Sequence, residues 1–324
     1  MKAIVFEKYG SPDVLELKEV EKPSPKDYEV LIKVHSAALN AADWHIMRGT
    51  PFLARLEFGL SKPKYSILGI DVSGRVEAVG KNVTQFQVGD EVLGDTLSGG
   101  LGAFAEYVCV PEKTLAHKPA NVPFEDGAAI PVSALTALQA LRDKGKITSG
   151  QKVLINGASG GVGTFTIQIA KYFGAEVTAV CSTSKMDLSL SIGADVVIDY
   201  TKEDFTKNGK QYDLIIDNVG NYSVFNLKSS LTPNGRCVIV GFTTLGLLFQ
   251  AMLLSPLLSL FGSKKIGLLG TAQVNQKDMI FIAQLLESGK VKPVIDRKYP
   301  LNEVPEAMRY LEEGHAGGKI IVTI

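Results

Sequence analysis

Val153-Leu154-Ile155-Asn156-Gly157-Ala158-Ser159-Gly160-Gly161-Val162-Gly163-Thr164 is the stretch on which the reading of the fold turns. A short apolar run ends at a glycine. A second stretch, Val162–Phe173, then carries apolar residues at helical spacing. The pattern predicts strand, tight turn, helix. Gly157, Gly160 and Gly163 recur at three-residue intervals. Glycines so placed permit the turn and let the backbone approach a pyrophosphate, while the helix N-terminus offers unpaired N–H groups to the phosphates. Gly157, Ser159, Gly160, Gly161 and Val162 are therefore candidate dinucleotide-binding residues.

A glycine trio alone is weak, and its setting strengthens it. Strands are expected at Val153–Asn156, Glu176–Val180, Val196–Ile198, Leu214–Asp217, Cys237–Val240 and Ile266–Leu269, with helices between most of them, as at Lys185–Ile192. Such alternation implies parallel βαβ units in a doubly wound sheet, and six strands complete one Rossmann domain. Upstream the rhythm differs. Met1–Phe6, Glu29–Val34, Ser73–Gly80 and Val88–Gly94 read as short strands among glycine and proline turns, which suits a β-rich domain. Asp126–Leu141 reads as one helix. After Leu269 come a helix at Lys277–Ser288, an extended passage at Val291–Tyr299, a helix at Glu303–Glu312 and a strand at Lys319–Thr323. The sixth strand is already used, so this tail is expected to return to the first domain. The class is α/β, with residues 1–121 and 270–324 forming one domain and 122–269 the Rossmann domain.

The bulk properties agree. A chain of 324 residues exceeds what one core of about 250–300 residues usually holds. Lysine plus arginine balance aspartate plus glutamate at 34 each, so no basic footprint for nucleic acid is present. Cys109, Cys181 and Cys237 are odd in number and far apart, which argues against a disulfide framework and for a reducing compartment. The first residues form a strand rather than a basic segment before an apolar core, and a cytoplasmic location is expected.

The end of the second Rossmann strand bears on the cofactor. NAD-preferring proteins usually place a carboxylate there for the ribose hydroxyls. Here the segment is Val180-Cys181-Ser182-Thr183-Ser184-Lys185, and no acid occurs before Asp187. Hydroxyls on Ser182 and Thr183 with the charge of Lys185 suit a 2′-phosphate, hence NADPH.

With these motifs go others: Ala38-Leu39-Asn40-Ala41-Ala42-Asp43-Trp44, Gly69-Ile70-Asp71-Val72-Ser73-Gly74, Gly89-Asp90-Glu91-Val92, Ala103-Phe104-Ala105-Glu106-Tyr107, Leu135-Thr136-Ala137-Leu138 and Gly193-Ala194-Asp195. Together they resemble the quinone oxidoreductase, or zeta-crystallin-like, branch of the medium-chain dehydrogenase/reductase superfamily, near its plant alkenal/enone reductases. The resemblance spans essentially the whole chain. It implies a GroES-like catalytic domain beside the Rossmann domain, and a homodimer joined through an edge strand, for which Ile266–Leu269 is the candidate. Zinc alcohol dehydrogenases of this superfamily carry a cysteine near position 40, a Gly-His-Glu, a later cysteine and a four-cysteine lobe. This chain has no cysteine near Asn40 and has Gly69-Ile70-Asp71 in place of Gly-His-Glu. His35, His45, His117 and His315 are scattered, so no metal is expected.

Without that Lewis acid, conjugated acceptors suit the chemistry best. Hydride goes to the β-carbon of an enone, or to a quinone, and hydrogen-bond donors stabilise the developing oxyanion. By resemblance, Asn40 is the active-site asparagine and Thr136 touches the nicotinamide. Tyr200 lies near the adenosine phosphate with Lys185. Asn218, Val219, Gly241 and Phe242 follow the fourth and fifth strands, where cofactors sit. His45 stands where relatives carry tyrosine or lysine, and either bonds the cofactor ribose or donates a proton; water is the other proton source. The expected function is an NADPH-dependent enone or quinone reductase. A non-enzymatic NADPH-binding protein and an alcohol dehydrogenase-like enzyme are the competing readings.

One stretch stands apart. Thr243–Ser263 has no charge and is rich in leucine. Pro256 is expected to break or kink any helix there, and a membrane-spanning helix is not expected. An apolar lid over a hydrophobic acceptor is the favoured reading, ahead of buried core or dimer contact. Contact with a membrane surface comes last, since the stretch has no basic face and only Lys264 and Lys265 nearby.

Overall fold

The computed structural model describes residues 1–260 and 262–324; Phe261, inside the uncharged stretch, lies outside them. Two compact units emerge, Met1–Leu135 with Gln273–Ile324, and Thr136–Ala272. The first boundary therefore falls later than residue 121. The reason is the helix Phe124–Ala129, which packs on the strands of the first unit.

The first unit begins with strands β1 (Lys2–Val5) and β2 (Glu16–Glu19), an antiparallel pair. Next come β3 (Glu29–Leu39), helices α1 (Ala41–Arg48) and α2 (Arg55–Phe58), then β4 (Asp71–Val79), β5 (Glu91–Asp95), β6 (Tyr107–Pro111) and β7 (Leu115–His117). Alternation is visible in β3, where Lys33 is exposed between buried Ile32 and Val34. The expected helix over Asp126–Leu141 is two helices, α3 (Phe124–Ala129) and α4 (Pro131–Gln139), followed by a π turn over Ala140–Lys144. The division falls at Pro131, which has no N–H to continue α3 but opens α4.

In the second unit six strands lie in the order β10-β9-β8-β11-β12-β13, all parallel. They are β8 (Lys152–Asn156), β9 (Glu176–Cys181), β10 (Val196–Asp199), β11 (Tyr212–Asp217), β12 (Leu231–Ile239) and β13 (Lys265–Leu268). Strand order reverses at β8, the switch point at which open α/β sheets bind ligands. The intervening helices are α5 (Gly161–Tyr172), α6 (Met186–Ser191), α7 (Val224–Ser229) and α8 (Leu245–Leu260). Contrary to the sequence expectation, α8 runs through Pro256. Pro256 and Met252, whose carbonyl loses its partner, both lie on the exposed face, where water can replace the missing bond.

The tail then rejoins the first unit through α9 (Gln276–Glu287), β14 (Ile295–Pro300), α10 (Val304–Glu312) and β15 (Lys319–Thr323). The larger sheet runs β14-β15-β3-β4-β5-β7, with β6 also paired to β3. Its last-made strand, β15, is thus an inner strand. The core beneath includes Phe6, Ile32, Met47, Leu68, Phe104 and Val322.

Candidate functional site

In the second unit, β8 delivers the chain to Gly157 with φ of 72°, a left-handed conformation that favours glycine. Helix α5 starts at Gly161, and its N-cap, Gly160, has no side chain to cap it. A Cβ on Gly163 would come within 2.1 Å of the Gly157 carbonyl oxygen, so the helix can pack this closely on the turn only with glycine. At Gly160 the nearest atom to such a Cβ is 3.8 Å away, so the backbone there opens outward. Ser159, Gly161 and Val162 are all part-exposed on this rim.

Two further turns join it. Strand β11 ends at Asp217, whose Oδ1 accepts the Gly220 N–H at 2.9 Å, the Val219 N–H at 3.2 Å and the Asn156 Nδ2 at 2.8 Å. Burial pushes the Asp217 carboxyl up, against the pull of those donors. A Cβ on Gly220 would meet the Gly241 carbonyl oxygen at 2.0 Å, and one on Gly157 would meet Val219 Cγ2 at 2.6 Å. The turns after β8, β11 and β12 therefore interlock at the carboxyl ends of adjacent strands, which brings Gly157, Asn218, Val219, Gly241 and Phe242 together. Both polar atoms of the Asn218 side chain are buried there with no hydrogen-bond partner among the described residues. Leaving an amide so costs about 1–3 kcal/mol, which a polar ligand can recover. The open rim at Gly160 and this orphaned amide fit a dinucleotide. Behind Gly241 and Phe242 a small hollow is lined by Gly220 and by the inner face of α8 at Leu247, Leu248 and Ala251.

The end of β9 lies beside the same turn, since Ala158 N–H donates to the Val180 carbonyl at 3.0 Å. Ser182, Thr183 and Lys185 follow it, and the Tyr200 N–H reaches the Cys181 carbonyl at 3.1 Å. Sequence reasoning missed Asp199 here. It closes β10, and its carboxylate accepts the Thr183 hydroxyl. Thr201 Oγ1 at 2.7 Å and Lys202 Nζ at 3.3 Å hold it as well. The Thr183 and Thr201 hydroxyls keep its carboxyl well below the usual range. The available signal was its place at the end of β10, next to β9 in the sheet. Thr136 lies within α4, nine-tenths buried.

In the first unit, Asn40 stands between β3 and α1 and is buried. Its Nδ2 donates to Asp71 Oδ2 at 3.0 Å, and its Oδ1 accepts from Lys319 Nζ at 2.6 Å. Lys319 Nζ also donates to Asp71 Oδ2 at 2.9 Å and to the Leu39 carbonyl at 3.1 Å, so its three N–H groups have three acceptors. Asp71 Oδ1 accepts the Val132 N–H at 2.8 Å. Beside them Asp43 accepts the Asn40 N–H at 2.9 Å and the Gly69 N–H at 3.1 Å. Burial pushes its carboxyl up to about 7 against those two donors, and burial does the same to Asp95. This cluster of Asp43, Asp71, Asp95 and Lys319 was missed. The visible signals were Asp71 within the Gly69–Gly74 motif and a lysine opening the otherwise apolar strand Lys319–Thr323.

His45 lies on α1, with Nδ1 2.9 Å from the Thr50 carbonyl oxygen. A carbonyl only accepts, so Nδ1 carries the proton and Nε2 of the neutral ring is an acceptor. Burial pulls the ring's pKa down and favours that neutral form. Among the described residues no group of three or more His, Cys, Asp or Glu side chains is arranged to hold a metal ion.

Residues 26–120 match the alcohol dehydrogenase GroES-like domain family, and residues 192–322 the zinc-binding dehydrogenase family. The 2-methylene-furan-3-one reductase of Solanum lycopersicum is 38% identical, over 99% of this chain and 79% of its own length. Among solved structures, the quinone oxidoreductase from Coxiella burnetii superposes with a TM-score of 0.88 at 31% identity, covering 100% of this chain and 99% of that one. The Escherichia coli quinone oxidoreductase complexed with NADPH has a TM-score of 0.84 at 26% identity, over the full length of both chains. Similarity that spans the chain, in a β-rich unit with the GroES-like match and a six-stranded parallel unit, places it: the protein belongs to the medium-chain dehydrogenase/reductase superfamily, in its quinone oxidoreductase branch.

Proposed function

We propose that the protein is an NADPH-dependent reductase of conjugated carbonyl compounds and quinones that works without zinc. The orphaned, buried amide of Asn218 carries this reading, because it sits among three interlocked glycine turns at the switch point of a parallel sheet. The relatives' enone, quinone and NADPH names support it.

In this proposal the unit Met1–Leu135 with Gln273–Ile324 is the catalytic domain and Thr136–Ala272 the NADPH-binding domain. Gly157, Ser159, Gly160, Gly161 and Val162 receive the pyrophosphate at the N-terminus of α5. Ser182, Lys185 and Tyr200 take the 2′-phosphate end, with Thr183 oriented by Asp199. Thr136, Asn218, Val219, Gly241 and Phe242 hold the nicotinamide end. Bound NADPH supplies a hydride to the acceptor. The chain's own residues orient, exclude water and stabilise oxyanion charge through hydrogen-bond donors. Asn40 acts as a positioning residue fixed by Lys319 and Asp71, since both ends of its amide are engaged there. His45 is the catalytic domain's candidate for a ribose contact or for the proton, with water as the other proton source. The inner face of α8 forms the apolar wall that selects hydrophobic acceptors. Zinc is not required: the position of the Gly-His-Glu glutamate is held by Asp71, and the Lys319 ammonium already neutralises it. The enzyme works in the cytoplasm as a homodimer.

The test follows NADPH oxidation by absorbance with a small enone and with a benzoquinone, in the presence of a chelator. Turnover with at least one acceptor is expected, along with no stoichiometric zinc in the purified protein. No oxidation of NADPH by any conjugated acceptor overturns the reading.

A further inference from the structure

We infer that Asp217 is a positioning residue for the nicotinamide end of the cofactor, one that fastens its turn as a neutral acid and so keeps the site from retaining the oxidised product. The inference rests on the NADPH site proposed above. Asp217 closes β11 and is fully buried. Its Oδ1 accepts from the Val219 N–H, the Gly220 N–H and the Asn156 Nδ2, so the carboxyl ties the turn that Asn218 opens to the end of β8. Its Oδ2 is buried with no hydrogen-bond partner. Among the described residues five buried side-chain polar atoms lack a partner, and three of them are Asp217 Oδ2 and the two ends of the Asn218 amide. Two consecutive residues thus hold most of that unmet capacity, at the turn assigned to the nicotinamide.

An ionised carboxylate so deep needs a cation, or donors on both oxygens. Here one oxygen has no donor, and no cation lies against the carboxyl among the described residues. From β8 it meets Asn156, which does not titrate. The titratable side chains that face it are Cys237 on β12, the strand beside β11, and Tyr222 beyond the turn. Burial holds the Cys237 thiol well above its ordinary value and pushes the Tyr222 phenol up to about 12, so both stay neutral while a carboxyl titrates. The charged residues of the same strands, Lys152, Asp213 and Arg236, lie toward their amino ends. Burial pushes Asp217 up too, and nothing charged beside it opposes the neutral form. In that form Oδ1 still accepts, and Oδ2 carries a proton it can donate. The nicotinamide ring is neutral in NADPH and carries one positive charge in NADP⁺. A carboxylate at the foot of this turn would attract the oxidised ring and delay its release. A carboxylic acid fastens the same turn without that attraction.

The test measures the dissociation constants of NADPH and of NADP⁺ for the full chain, by fluorescence titration and calorimetry, from about pH 5 to about pH 9. Both forms carry the same phosphates, so whatever titrates beside those cancels in the ratio of the two constants. The ratio Kd(NADP⁺)/Kd(NADPH) is expected to fall by about tenfold or more as pH rises, because Asp217 loses its proton and a buried negative charge then favours the oxidised ring. Asp217→Asn keeps an acceptor and puts a donor where the acid had its O–H, so its ratio should stay flat. Asp217→Ala leaves the turn's N–H groups unmet and should weaken both forms by about tenfold, a loss that Asp217→Asn recovers in part. A flat wild-type ratio overturns the inference, and so does an Asp217→Asn ratio that follows the wild-type slope. The wild-type series decides alone if the variants do not fold. Failure of both forms to bind at any pH is a different result: it removes the NADPH site itself, and this inference with it.

Discussion

Lys319 shows how much of the first unit rests on one side chain. It is 2% exposed and faces Asp71, which is fully buried. Removing one member of such a pair leaves the other charged and desolvated, at a cost of about 3–5 kcal/mol. Lys319→Met should therefore lower the urea midpoint strongly, and adding Asp71→Asn should restore much of the loss. Equal midpoints for Lys319→Met and wild type would show that the pair does not hold the unit together. The same cluster sets a pH dependence, because Asp95 is buried near two other buried carboxyls, Asp71 and Asp43, and the ammonium of Lys319 pairs with Asp71. Asp95 stays protonated in the folded protein up to about 7, whereas unfolded it releases its proton near about 4. Between those values the folded state binds more protons, so its contribution to stability falls as pH rises and is fully lost above about 7. Asp95→Asn should flatten that fall. The check is thermal melting of both proteins across this window; parallel curves would sink the assignment. Little of this was legible beforehand. Asn40 stood out, but its partner Lys319 lies 279 positions away, and no local pattern says which lysine meets which aspartate. A third residue-level expectation concerns Lys185. Lys185→Ala should raise the KM for NADPH more than that for NADH, since a lost charge-assisted bond is worth about 1.5–3 kcal/mol. Equal changes for the two cofactors would remove Lys185 from the phosphate site.

At the scale of elements the sequence was most informative where local pattern and tertiary role coincide. Strands β8 to β13 all overlap their expected positions, because buried parallel strands are short apolar runs bounded by turns. Strand β12 alone starts well before its expected Cys237, at Leu231, since the residues leading up to Cys237 are mostly polar and carry no apolar run. Two helices escaped for the same reason, proline. Periodicity alone joined α3 to α4 across Pro131, and proline alone argued against α8. The outcome depends on whether the freed carbonyl can reach water, which is a property of the packed fold. Helix α8 also carries a prediction for the reaction. Leu247, Leu248 and Ala251 line the hollow behind Gly241 and Phe242. In a series of enones of growing chain length, kcat/KM should rise by up to about 0.8 kcal/mol per buried methylene, roughly fourfold each. Ala251→Phe should erase that rise for the longer members while sparing the shortest. A flat or falling wild-type series would remove α8 from the acceptor pocket.

At the scale of the whole molecule, the discontinuous arrangement was read from counting: six strands completed one sheet, so the tail had to belong elsewhere. It does, but the boundary at 121 was early, because α3 has the composition of a Rossmann helix while packing on β3, β4 and β15. Among the described residues, strand β13 ends the parallel sheet with one edge unpaired, which invites a second copy. A dimeric mass by light scattering at about micromolar concentration, in the usual range for specific association, is the expected result, and a monomer would count against the proposed homodimer.

The inner position of β15, between β14 and β3, has a consequence for the order in which the protein is made. The ribosome delivers residues from the N-terminus, so the contiguous unit Thr136–Ala272 has wholly emerged while the first sheet still lacks its inner strand. Until Lys319 leaves the exit tunnel, Asp71 and Asn40 have no cation to receive. A nascent chain arrested just before β15 should therefore yield one protease-resistant fragment, the parallel-sheet unit. The half of the protein that begins first is the half that finishes last.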